Sequence, residues 1–138
     1  MYEAYKGTRK PMPEELREQV PVIKEVLSAM GIPILSVPGY EADDVLGTIA
    51  GRCAAEGAEV SIVSGDRDLL QLADEHVKIR MPRTNRGGTE IKDFYPADVK
   101  EQYQVTPKEF IDVKALMGDA SDNIPGVPSI GEKTATAL

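Results

Sequence analysis

Three short stretches hold most of the side chains able to do chemistry. Glu41, Asp43 and Asp44 lie within residues 39–44, Asp66 and Asp68 within 65–68, and Asp119 and Asp122 within 118–122. Each stretch follows a segment patterned as regular structure, and none has enough nearby bases to pair its acids. Acids also suit the first turn of a helix, where unpaired N–H groups and the dipole favour negative charge. For the first stretch alone that structural reading is as good as a chemical one. The repeated placement favours the chemical one, seven carboxylates serving as ligands of hard cations. A set rich in oxygen donors, with no His or Cys, suits Mg²⁺ or Mn²⁺ and not Zn²⁺. Two such ions about 4 Å apart can activate water and clamp the attacking and leaving oxygens of a phosphodiester. The only histidine, His76, reads as a surface residue and not as a general base.

These acids need elements to hold them. Residues 13–30 read as a helix: Leu16, Val20, Ile23, Leu27 and Met30 recur at helical spacing, Pro13 suits the first turn and Gly31 the stop. Pro21 should kink or divide it. The apolar run 32–37 reads as a buried strand, 41–56 as a helix, 59–63 as a second strand, 67–72 as a short helix and 77–81 as a third strand. Strand, helix and strand in these lengths imply a crossover connection and a parallel sheet. The acidic turns would then lie beyond the carboxyl ends of the strands, where open α/β sheets place their sites. Residues 83–88 read as a loop and 89–91 as an edge strand. Helices follow at 96–103 and 107–117, with Thr106 as cap of the second. Gly126 and Gly131 bound a tight hairpin opening into a helix. It is either a plain connection or a place where backbone N–H groups and Lys133 approach a phosphate.

The totals are those of one soluble globular domain: 138 residues, 41% hydrophobic and 28% charged. No apolar run approaches the roughly 20 residues of a membrane span, and no secretion signal is evident. The single Cys53 permits no internal disulfide, fits a cytoplasmic location and reads as an inert, buried thiol. A net charge of −7 argues against nucleic acid as a partner, but the seven candidate ligands account for all of it. Bound divalent ions would make the site attractive to phosphate. The basic start, with Lys6 and Arg9, reads either as a frayed terminus or as a segment touching a phosphate backbone.

Val37-Pro38-Gly39-Tyr40-Glu41-Ala42-Asp43-Asp44 resembles the 5′ nuclease family, as do residues 65–72, residues 116–127 and Gly131-Glu132-Lys133-Thr134-Ala135. The likeness runs in unbroken order over nearly the whole chain and is greatest to the 5′–3′ exonuclease domains of bacterial DNA polymerases. It implies a three-layer α/β fold with a mostly parallel sheet and a helix–hairpin–helix-type clamp. The implied division is 1–12 for the end of a helical arch, 13–117 for the core and 118–138 for the start of the clamp. It implies cleavage of DNA 5′ ends, 5′ flaps and nicked or branched duplex in replication and repair, with two or more ions. Glu41, Asp43 and Asp44 would serve the first ion, and Asp66, Asp68, Asp119 and Asp122 the second. Of these, Asp43, Asp66, Asp68 and Asp119 would be catalytic. Lys6 and Arg9 would belong to the arch. Gly126, Val127, Ser129, Ile130, Gly131, Lys133 and Thr134 would hold DNA, with K⁺ at the hairpin. The whole protein would be bacterial, cytoplasmic and nucleoid-associated, with a polymerase fused downstream. Family members also begin with an aspartate-bearing strand and carry a further aspartate before the arch. Neither has a counterpart here, so this segment alone is expected to cut weakly or not at all. The rival reading is a non-catalytic DNA-binding remnant of the same fold. A more distant one is a metal-dependent phosphatase or RNase.

Overall fold

A computed structural model describes residues 2–85 and 87–138. The helices are α1 (Glu14–Ala29), α2 (Ala42–Ala55), α3 (Pro96–Tyr103), α4 (Glu109–Met117) and α5 (Glu132–Ala135). The strands are β1 (Val60–Val63), β2 (Val77–Asn85), β3 (Gly88–Phe94), β4 (Gly118–Asp119) and β5 (Ile124–Pro125), and a 3₁₀ helix spans Arg67–Leu72.

Sheet order is β1-β2-β3. β1 and β2 are parallel from Val60↔Val77 to Val63↔Arg80, and β2 and β3 are antiparallel from Ile79↔Phe94 to Asn85↔Gly88. The α/β class holds, and the sheet is mixed. Within the region expected to be a loop at 83–88, residues 83–85 and Gly88 instead extend the two strands into a ribbon. Alternation along β2 buries Val77, Ile79 and Met81 on one face. Ile62, Leu69, Leu70, Phe94, Val99, Val105 and Val113 pack there, and Tyr103 meets Phe110 edge-on at 5.1 Å. Val63, on the other face, is 64% exposed.

Two expected elements differ. Residues 32–37 form no strand, and Leu35 is 66% exposed. Pro33 lacks a ladder donor, and no strand among the described residues pairs with the run. α1 forms without division despite Pro21. The proline leaves the Arg17 carbonyl without its helical donor, and on so exposed a helix water can serve instead. The apolar stripe of α1 is unburied: Ile23 is 57% and Met30 66% exposed.

The amino-terminal residues are not frayed. Residues 3–8 run through successive turns. The Lys6 N–H donates to the Asp122 carbonyl at 2.8 Å, and Asn123 Nδ2 donates to the Ala4 carbonyl at 2.8 Å. Met1 lies outside the described residues.

Candidate active site

α2 starts within the first acidic stretch, with Asp43 and Asp44 in its first turn. Glu41 is its N-cap residue, and Asp44 Oδ2 accepts the Glu41 N–H at 2.9 Å. Asp44 therefore has the helix-start role that its position allows. Asp43 has no hydrogen-bond partner among the described residues. Its pKa is raised first by burial and then by the carboxylates of Asp66, Glu41 and Asp68. Asp66 follows β1 and caps the 3₁₀ helix, its Oδ1 accepting the Asp68 N–H at 2.9 Å. Asp119 closes β4. Its Oδ1 accepts from Ser121 Oγ at 2.6 Å, the Ser121 N–H at 2.8 Å and the Asp122 N–H at 3.2 Å.

These acids come from three parts of the chain to one cavity of about 620 Å³. Glu41, Asp43, Asp44, Asp66, Asp68, Asp119 and Asp122 all line it. It opens beyond the carboxyl end of β1, and neither His76 nor Cys53 reaches it. Four basic or phenolic groups also line it. Lys6 pairs with Glu41, Arg9 pairs with Asp122, and Tyr5 Oη donates to Glu41 Oε1 at 3.1 Å. Lys114, on α4, bridges Asp68 Oδ1 at 2.9 Å and Asp119 Oδ2 at 3.0 Å.

The electrostatics follow. The Ser121 hydroxyl, the Lys114 ammonium and the Ser121 N–H hold the Asp119 carboxyl well below the usual range. Glu41 is lowered by Lys6 and Tyr5, and Lys6 is raised in return. For Lys114, burial acts to lower the pKa, but Asp68 and Asp119 outweigh it, so the net change is upward. With side chains so engaged, no three ligand-type groups among the described residues are gathered tightly enough to hold an ion. The donor set still fits a hard divalent cation. It is all carboxylate, and its central member, Asp43, is crowded by like charge that such an ion would relieve.

Sequence reasoning missed Lys114. The signal was one base on a largely apolar helix, five residues before Asp119. The cluster of Gly126, Val127, Ser129, Ile130, Gly131, Lys133 and Thr134 lies apart from the cavity. Ser129 takes φ +65°, the Ile130 N–H donates to the Val127 carbonyl at 3.1 Å, Ile130 packs toward the core and Lys133 is exposed. Gly126 is tied to backbone packing: a Cβ built on it would lie 2.1 Å from the Met117 carbonyl oxygen.

The fold and cavity are those of a nuclease family. Family models of the 5′–3′ exonuclease N-terminal resolvase-like domain and of the 5′–3′ exonuclease C-terminal SAM fold match residues 1–104 and 105–138. The chain belongs to the 5′–3′ exonuclease family. It is 51% identical over 137 residues to DNA polymerase I of Bacillus caldotenax and 47% identical over 137 residues to that of Bacillus subtilis. Each alignment covers 99% of this chain and 15% of the relative, so the chain spans a small part of their length. Among solved structures it is similar to T5 5′-exonuclease with divalent metal ions (zinc) bound, at TM-score 0.78 and 28% identity, covering 99% of this chain and 52% of that one. It is also similar to the bacteriophage T5 flap endonuclease in complex with DNA and metal ions, at TM-score 0.76 and 27% identity, with the same coverage. The catalytic core of Rad2 shares the fold at TM-score 0.58 and 18% identity.

Proposed function

We propose that this chain is the nuclease part of a divalent-metal-dependent 5′–3′ exonuclease and flap endonuclease acting on DNA 5′ ends and on nicked or branched duplex. One observation carries the reading: seven carboxylates from three separate stretches line a single cavity without His or Cys. Glu41, Asp43 and Asp44 hold a first Mg²⁺ or Mn²⁺, and Asp66, Asp68, Asp119 and Asp122 a second. When bound, such ions supply an activated water and neutralise charge at the scissile phosphate. Lys6 and Arg9 lie at the cavity rim, where cations released from Glu41 and Asp122 face a phosphate backbone. Residues 1–12 act as the arch end, 13–117 as the core and 118–138 as the clamp. In the clamp, Val127, Ser129, Gly131, Lys133 and Thr134 meet downstream duplex, with K⁺ at the turn. The similarity to DNA polymerase I supports a fused polymerase in the whole protein.

A second reading has one observation in its favour. Lys6, Arg9 and Lys114 already pair with four of the seven acids, Lys114 being shared between two, as suits a non-catalytic DNA-binding domain. A 5′-flap duplex assayed in Mn²⁺ separates the two. The nuclease reading requires metal-dependent release of 5′ products, slow in this chain and lost in Asp119→Ala. Flap binding without any product at every Mn²⁺ concentration, persisting when the aspartate-bearing strand expected of the family is joined to the amino terminus, supports the binding domain instead.

A further inference from the structure

We propose that the chain carries a second nucleic-acid contact: a basic cleft on the far side of the Gly65–Asp68 turn that takes backbone phosphates of the DNA strand. The cleft, of about 180 Å³, is lined by Arg67, Arg83, Lys92, Gln102, Phe94 and Met81, among others, and by no carboxylate. In a chain of net charge −7, three cations converging without an acid is a notable departure from the surrounding surface.

The fold explains the arrangement. The core-facing row of β2 runs Val77, Ile79, Met81, Arg83, and burial ends after Met81, where the ribbon leaves the core. Arg83 is the first residue of that row beyond the core. Lys92 stands opposite Met81 on β3, so it lies on the same face. Its ammonium sits 4.5 Å from the Phe94 ring centroid and donates to Gln102 Oε1 at 2.7 Å, which fixes the head group at the cleft. Arg67 reaches the cleft from the turn. Neither Arg67 nor Arg83 has an ion-pair partner among the described residues. Glu90 stands opposite Arg83 in the ladder but forms no ion pair with it and does not line the cleft.

The occupant follows from the position. Asp66 and Asp68 face the acidic cavity, while Gly65 and Arg67 of the same turn face the cleft. A strand with one phosphate at the acids has neighbouring phosphates within reach across a turn four residues wide. Arginine suits them through its planar, multidentate donor set. This inference rests on the nuclease reading for the identity of the strand, but its test is separate.

The test is the salt dependence of flap-duplex binding by the 138-residue chain in Ca²⁺, comparing the parent with Arg67→Gln/Arg83→Gln/Lys92→Met. Methionine keeps an apolar stem against Phe94. Each phosphate contact contributes about 0.9 to the slope of log affinity against log salt. The triple variant should therefore lose about 2–3 from the slope, and Arg83→Gln alone about 1. The single variant, on the exposed ribbon, decides the matter if the triple variant melts early. A parent slope that persists in both variants overturns the cleft while leaving the nuclease reading intact. A parent chain that binds no flap DNA at low salt overturns the nuclease reading itself. Inorganic phosphate added at constant ionic strength should leave binding unchanged. Displacement lost in the triple variant would reassign the cleft to free anions.

Discussion

Lys114 shows how one residue can set the terms for the metal. Its ammonium occupies space between Asp68 and Asp119 that an ion bridging those carboxylates would claim. Lys114→Met leaves a similar stem and removes the charge. The metal-free chain should lose about 1 kcal/mol, as expected for a partly exposed pair, read as a lower Tm. Mn²⁺ should bind more tightly, because no cation has to be displaced first. Titration calorimetry with Mn²⁺ alone checks this, and weaker binding would make Lys114 a support for the site and not a competitor. The acids themselves were legible in sequence because three short acidic stretches recur along the chain, two of them just after a regular element. Their counter-ions were not, because Lys6, Arg9 and Lys114 reach them across 35, 113 and 46 or 5 positions, respectively. Pairings across 35, 46 and 113 positions leave no local pattern, and only the five-residue spacing of Lys114 and Asp119 gave a local signal.

At the scale of elements, the crossing of β4 with the backbone after β5 leaves no room for a Cβ at either glycine. Gly118 has φ +71°, and a Cβ on it would meet the Gly126 nitrogen at 2.2 Å. Neither neighbour is a movable side chain. Gly126→Ala should therefore cost about 3 kcal/mol, at the upper end for overpacking, measured by urea unfolding. It should also displace Asp119, which β4 carries. The β2–β3 pair predicts an acid response. Arg80 donates to both carboxylate oxygens of Asp93, at 2.7 and 2.8 Å, with Lys78 at 3.1 Å. The Arg80 guanidinium, aided by Lys78, holds Asp93 well below its ordinary value. Because the folded value is the lower one, this stabilisation is complete above the unfolded pKa of about 3.8 and is lost as pH falls below it. Asp93→Asn should flatten the acid limb of a Tm-against-pH curve and leave its neutral part nearly parallel to the parent. Periodicity located α2, β1, the 3₁₀ helix, α3 and α4 correctly, although α2 buries only Ala50 and leaves Leu46 and Ile49 exposed. It failed at 32–37, where an apolar run suggested a strand but the two prolines at 33 and 38 and the lack of a ladder partner decided otherwise.

The whole molecule is more open than its mass requires. A folded monomer of 15.0 kDa should expose about 7,000 Å², whereas this chain exposes 10460 Å². Among its exposed large apolar side chains are Leu16, Val22, Ile23 and Val26 of α1 and Ile32, Ile34, Leu35 and Val37 after it. Isolated helices of this length are marginal in water. Hydrogen exchange should therefore find the amides of Glu14–Ala29 nearly unprotected, while those of Val77–Met81 exchange only on global unfolding. Equal protection in the two would mean that α1 is packed in solution. The clasp between the first residues and the Asp122 loop has a consequence for the order of assembly. Asn123 meets Ala4 across 119 positions, whereas Gly118 meets Gly126 across eight. Closing the long ring costs more chain entropy than closing the short one. The Gly118–Gly126 crossing, beside the turn that carries Asp119 and Asp122, thus forms before Arg9 closes its long ring onto Asp122. For that interval the Asp122 carboxylate is bare, and a divalent ion in the surrounding solution can reach it ahead of Arg9.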